Sequence, residues 1–217
     1  MHFGGALFDL DGTLVNSLDF VERSWEAWSQ QKGLDVLEVR AYLHGKTAMN
    51  TLRHFLCTAS EATLEAEFRR LEAYEVENVA GITPVAGAVE FLTRLESLGV
   101  PWGIVTSGSY RVASARIKQV GFPSPGVLVT SEDIQVGKPH PEPFLTGAAR
   151  LGIPAVECLA FEDSVAGLTA ARDAGCQLVE VLTPQSVAHN IAVRCTLNHY
   201  QNLVVSHHGE GHFSLSL

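Results

Sequence analysis

Between residues 82 and 182 the apolar positions follow two alternating rhythms: short unbroken runs, and longer stretches in which they recur every three or four residues. The short runs, Trp102–Thr106, Val127–Thr130, Cys158–Phe161 and Gln177–Leu182, predict strands buried on both faces. The longer stretches, Val85–Leu98, Ser109–Val120, Pro141–Leu151 and Val165–Ala174, predict helices. Each is followed directly by a glycine (Gly99, Gly121, Gly152, Gly175), the residue that most often ends a helix. Repeated β-α units of this length imply an α/β fold with a parallel, doubly wound sheet and right-handed crossovers. An earlier run, Ala6–Phe8, has no polar face and so predicts a further strand in the middle of that sheet.

Residues 17–81 carry only the helical rhythm. Ser17 is placed to cap a helix in which Leu18, Val21, Trp25 and Trp28 share a face until Gly33. Val36–Leu43 and Thr47–Leu56 follow, then a helix capped by Ser60 with Leu64, Phe68 and Leu71 on one side. A helical segment of this size after one strand predicts a helical domain, 17–81, inserted into a core made of 1–16 and 82–217. The linkers fall near Val15–Ser17 and Gly81–Pro84; the alternative is a helical part of one domain. From His199 to Leu217 the pattern is weak and predicts an edge hairpin turning at His207–Gly211, or disorder.

Composition narrows the chemistry. The 217 residues are 46% hydrophobic and 18% charged, as in a globular protein, and the net charge of −9 offers no basic footprint for nucleic acid or an anionic membrane. No uncharged segment approaches the ~20 apolar residues of a membrane span. The first residues lack the basic and apolar regions of a signal peptide, and Asp9 comes too early for one. Cys57, Cys158, Cys176 and Cys195 show no C-x-x-C spacing and read as reduced thiols, which points to the cytoplasm.

In this architecture ligands bind beyond the carboxyl ends of the strands, so the residues that follow each strand matter most. The first strand runs into Asp9-Leu10-Asp11-Gly12, two carboxylates two residues apart before a glycine that permits a tight turn. After Trp102–Val105 come Thr106-Ser107-Gly108-Ser109, able to bind phosphate through hydroxyls and backbone N–H groups, or simply to cap a helix. Lys138 stands in Gly137-Lys138-Pro139-His140-Pro141, where flanking prolines restrict the backbone that presents it; a solvated lysine is the plain alternative. Glu162-Asp163-Ser164 follows the third run, with Asp163 or Ser164 also placed to cap the next helix.

Asp9, Asp11, Glu162 and Asp163 at one site would repel each other and any phosphate, and Lys138 alone could not offset them. A hard divalent cation would. Mg²⁺ takes carboxylate, carbonyl, water and phosphate oxygens, whereas zinc or iron would call for more histidine than His2 and His140 near the motifs. The residues then suggest phosphoryl transfer: Asp9 attacks phosphorus to form an aspartyl-phosphate, and Asp11 gives a proton to the leaving alcohol and later takes one from water. Thr106, Ser107 and Lys138 would hold the phosphoryl oxygens. Asp163, Glu162, the Asp9 side chain and the Asp11 carbonyl would hold the metal.

Phe8-Asp9-Leu10-Asp11-Gly12-Thr13-Leu14, Thr106-Ser107-Gly108, Gly137-Lys138-Pro139 and Glu162-Asp163-Ser164-Val165-Ala166-Gly167 resemble, in order, the four motifs of the haloacid dehalogenase-like superfamily. The resemblance implies a Rossmann-like core with an inserted α-helical cap. The second aspartate with Thr13 looks like the phosphatase branch, and the whole chain looks most like bacterial sugar phosphatases acting on hexose and pentose phosphates. It also implies substrate contacts from the Asp9-Leu10-Asp11 segment and from a cap loop, here His44-Gly45-Lys46-Thr47, in which Lys46 would reach the sugar or its phosphate. Relatives of this size are often monomers. Phosphoglycolate phosphatase and a β-phosphoglucomutase-like isomerase are the neighbouring readings, although Val21 stands where those mutases carry a histidine. A phospho-acceptor that does not turn over is the reading from another class.

Overall fold

The computed structural model describes residues 1–182, 188–209 and 211–216. Its centre is a parallel sheet of six strands. β2 (Gly5–Phe8) lies in the middle, with β5 (Trp102–Val105) and β6 (Val127–Val129) on one side and β7 (Cys158–Glu162), β8 (Gln177–Val181) and β9 (Cys195–Leu197) on the other. The chain therefore builds outward from β2 twice, in opposite directions, and leaves a crevice at the carboxyl ends of β2, β5 and β7.

Alternate residues of the central strands enter two different cores. Ala6 and Phe8 of β2, with Leu159 and Phe161 of β7, pack against α5 (Ala88–Ser97) and α6 (Tyr110–Val120). Leu7, Cys158 and Ala160 face α7 (Glu142–Leu151) and α8 (Val165–Asp173). A strand covered on both faces has no polar side to show, which is why these runs are unbroken in sequence. Beneath the crevice, Phe8 stacks on Phe161 with ring centroids 4.5 Å apart, and Phe91, Trp102 and Tyr200 surround the pair.

The second layer comprises α1 (Leu18–Lys32), α2 (Val36–Leu43), α3 (Ala48–Phe55) and α4 (Glu61–Glu77), and no strand interrupts it. It has its own core of Trp25, Trp28, Val39, Leu43, Leu52, Leu64 and Leu71. At its base the two crossings of the chain, β3 (Val15–Asn16) and β4 (Thr83–Pro84), pair as an antiparallel ribbon, reinforced by Asn16 Nδ2 donating to Thr83 Oγ1. Sequence patterning marks these residues as linkers; a two-residue strand is too short for it to detect.

One expectation fails, and two features lie beyond what the sequence pattern marks. Ser17 precedes α1 but does not cap it: its backbone is helical and its hydroxyl donates to Asp11 Oδ1 instead. The C-terminal segment is a hairpin of β10 (Val204–His207) and β11 (Phe213–Ser216), but it does not extend the large sheet. It pairs with β1 (His2–Phe3) in a separate three-stranded sheet; Glu210 of its turn lies outside the described residues. The outer strand of the large sheet is instead β9, whose three residues carry no readable alternation. Among the described residues no helix is long and apolar enough to cross a membrane.

Candidate active site

Asp9 emerges from the end of β2 at the crevice, its N–H donating to Phe161 O, and the residue is buried. Lys138, from the loop before α7, reaches it: Nζ donates to Asp9 Oδ1 at 2.6 Å, to Glu162 Oε1 at 2.5 Å and to Val105 O at 3.0 Å. Lys138 is thus a buried charge held between the ends of β2, β5 and β7, and the solvated alternative is excluded. Glu162 Oε2 accepts from the N–H groups of Asp163 and Ser164 and from Ser164 Oγ. The glycine of this motif follows from that geometry, because a Cβ on Gly167 would lie 1.7 Å from Glu162 Oε1. Asp163 Oδ1 accepts from Thr13 Oγ1 at 3.0 Å, and Tyr200 OH donates to Thr13 O at 3.0 Å. Gly12, at φ +84°, leaves room for the Asp163 carboxylate where any side chain would collide with it.

Asp9, Glu162 and Asp163 each bring one carboxylate oxygen within 4.8 Å of the other two. Burial pushes Asp9 up to about 7, with Lys138 pulling it down and Glu162 pushing it further up. Asp163 is raised well above the usual carboxylate range, by burial first and then by Glu162 and Asp9. Burial opposes the charge of Lys138, but Asp9 and Glu162 outweigh it and hold its pKa above normal. One ammonium thus serves three carboxylates. The donor set, all hard oxygen without thiolate or imidazole, fits a hard divalent cation. Glu162 differs from its neighbours in that four protein donors already engage its two oxygens.

Asp11 turns away from this group. Oδ1 accepts from Ser17 Oγ and Oδ2 from Arg116 Nη1, so its charged partner is a guanidinium, not a second acid. Leu10 between the two aspartates is buried in the core, and its carbonyl accepts from the N–H groups of Leu14 and Val15.

Thr106, Ser107 and Lys46 line the same cavity as Asp9, Asp11 and Asp163, which encloses about 110 Å³. Thr106 Oγ1 accepts from Gly108 N–H, and Ser107 Oγ donates to Gly45 O of the helical layer, so this turn touches both parts of the molecule. The capping alternatives hold as well: Ser109 Oγ accepts from Val112 N–H and Ser164 Oγ from Gly167 N–H. Lys46 Nζ rests 3.4 Å from the centre of the Tyr42 ring, and burial lowers its pKa.

The far wall holds residues that no sequence motif marks. Arg116 of α6 is 2% exposed; Nη2 donates to Glu75 Oε2 of α4 at 2.8 Å while Nη1 holds Asp11. Glu72, one helical turn earlier, is buried and accepts from Arg111 Nη1 at 2.9 Å. The only sequence signal for them is a charged residue on the inward stripe of a helix, Arg116 four residues after Val112 and Glu75 four after Leu71.

A six-stranded, doubly wound sheet with a helical layer over an aspartate-rich crevice defines a class, and the sequence agrees. The profile of the haloacid dehalogenase-like hydrolases matches residues 3–175, and the chain belongs to that family. It is 44% identical to hexitol phosphatase A of Escherichia coli over 97% of this chain and 98% of that one. It is 31% identical to glycerol-1-phosphate phosphohydrolase 2 of Saccharomyces cerevisiae, over 82% and 74% of the two chains. A β-phosphoglucomutase from Clostridium difficile shares the fold, with a TM-score of 0.81 at 20% identity over 92% of each chain.

Proposed function

We propose that this protein hydrolyses phosphate monoesters of hexitols and related sugars through an aspartyl-phosphate on Asp9, with Mg²⁺ as cofactor. It is a phosphatase of the haloacid dehalogenase-like family, and its likeness to a hexitol phosphatase over nearly the full length of both chains supports a sugar or polyol phosphate as substrate. The carrying observation is the Asp9–Lys138–Glu162 set: a carboxylate fixed at a strand end with an ammonium beside it, at the floor of a cavity between the sheet and the helical layer.

In the proposed cycle, one Asp9 oxygen attacks phosphorus in line, and the bond to the alcohol oxygen breaks as Asp11 supplies its proton. Water then attacks the aspartyl-phosphate, Asp11 takes a proton from it, and phosphate leaves with Asp9 restored. Thr106, Ser107 and Lys138 bind the phosphoryl oxygens. When bound, Mg²⁺ held by Asp9, Asp163, the Asp11 carbonyl and the neighbouring Glu162 would keep the carboxylates ionised and offset phosphoryl charge. Asp11 serves only after leaving Arg116 and Ser17. The helical layer, taken as a cap over residues 17–81, would bring Lys46 to the substrate and exclude water during attack. The described cysteines form no disulfide, which supports a cytoplasmic site of action.

Phosphate release from hexitol, hexose, pentose and glycolate phosphates, with and without Mg²⁺, tests the reading. Turnover is expected to require Mg²⁺ and to fall at least about 10⁴-fold in Asp9→Asn. Conversion of glucose 1-phosphate to glucose 6-phosphate without phosphate release would establish a mutase instead.

A further inference from the structure

Beyond the phosphate-binding floor, the cavity ends in a set of buried charges contributed by two helices. Glu72 and Glu75 stand three residues apart on α4, and so on one face of it, while Arg116 comes from α6 opposite. All three line the cavity. Each guanidinium there is matched to an acid, Arg116 to Glu75 and Asp11, Arg111 to Glu72. Matching is incomplete at one atom: Arg116 Nε is fully buried and has no hydrogen-bond partner among the described residues. A buried donor left without a partner is costly, so this wall is not fully matched by the protein's own groups.

The chemistry of the group that fits beside Glu72, Glu75 and Arg116 follows from their charges. A second phosphate or a carboxylate placed here would meet Glu72 and Glu75, and would find the guanidinium cations already paired. Lys46, the remaining nearby ammonium, rests on Tyr42. A hydroxyl meets no such opposition: it accepts from the guanidinium and donates to a carboxylate at once. Trp25, Phe68 and Leu71 supply apolar wall for the carbon chain between.

We infer that Glu72, Glu75 and Arg116 form the hydroxyl-binding end of the substrate site, and that they select an uncharged polyol leaving group over one bearing a second anion. This rests on the phosphatase reading only for the placement of the phosphate at Asp9.

The test is calorimetric binding, with Mg²⁺ present, of a hexitol 6-phosphate and of 2-phosphoglycolate to the Asp9→Asn protein and to the same protein carrying Glu72→Gln or Glu75→Gln. The affinity ratio of hexitol phosphate to phosphoglycolate is expected to fall about tenfold in each, the loss of one charged hydrogen bond together with relief of one repulsion. Should Glu75→Gln not fold, Glu72→Gln gives the same reading, since its partner Arg111 is largely exposed. A ratio that does not move overturns the inference, even if the unsubstituted protein releases phosphate. A shifted ratio in a protein that hydrolyses no monoester keeps the subsite and removes the phosphatase reading.

Discussion

The two ends of the cavity hold buried charge in different ways. At the floor, Asp9 and Glu162 lie at strand termini of one sheet, and Lys138, from the loop before α7, has three acceptors within 3.0 Å. At the cap end, Arg116 spans a helix of the core and a helix of the cap, joining Asp11 to Glu75. The first arrangement survives any movement of the helical layer; the second exists only while the two layers stay together. A site that must keep its nucleophile fixed but admit and release an alcohol needs both kinds.

Replacing the cation at each end separates them most sharply. Lys138→Met strands two carboxylates in the interior, and is expected to cost about 3–5 kcal/mol of stability and about 10²–10³-fold in kcat. Arg116→Met strands Asp11 and Glu75, which keep partial access to water, so the loss is expected to be about 1–3 kcal/mol. Denaturant unfolding of both variants measures the difference; equal losses would mean that the cap end is as rigid as the floor.

The next effect is proton linkage. Asp9 is raised to about 7 and Asp163 is raised with it, so below that pH a proton competes with a cation for these oxygens. Mg²⁺ affinity, followed by calorimetry, is expected to rise with pH, by up to about tenfold per unit for each proton displaced, with the Asp9 contribution complete above about pH 7. A carboxyl raised in the fold favours folding at low pH, so the metal-free protein loses stability as pH climbs from about 4 to about 7, and Mg²⁺ restores it. The ion pairs of the cap end should show no such metal dependence.

The smallest change probes what lies under the floor. Tyr200→Phe removes the hydroxyl that donates to Thr13 O, with an expected loss of about 0.5–1.5 kcal/mol in denaturant unfolding.

The same division explains what the sequence discloses. Asp9 and Asp163 are legible because each follows an apolar run at a strand end, and the direction of a parallel sheet sends such residues to one crevice, whereas Lys138 is marked by the prolines that flank it in a loop. Arg116, Glu72 and Glu75 sit inside helices, where periodicity tells which side faces inward but not which partner waits there. The direction of the Asp11 side chain is illegible for the same reason: it depends on Ser17 and Arg116, six and 105 residues away. Likewise a hairpin is visible near the C-terminus, but its pairing with β1 depends on contacts more than 200 residues apart in the chain.

The ribbon of Val15–Asn16 with Thr83–Pro84 bears on how the chain assembles itself. Ala6 must find Trp102 across about 100 residues for β2 and β5 to align, but once the ribbon closes the remaining path is only about 30. That shortening lowers the closure cost by about 1 kcal/mol. The intervening helices make mostly local contacts, which form quickly. The long excursion therefore delays the meeting of the central strands far less than its length suggests.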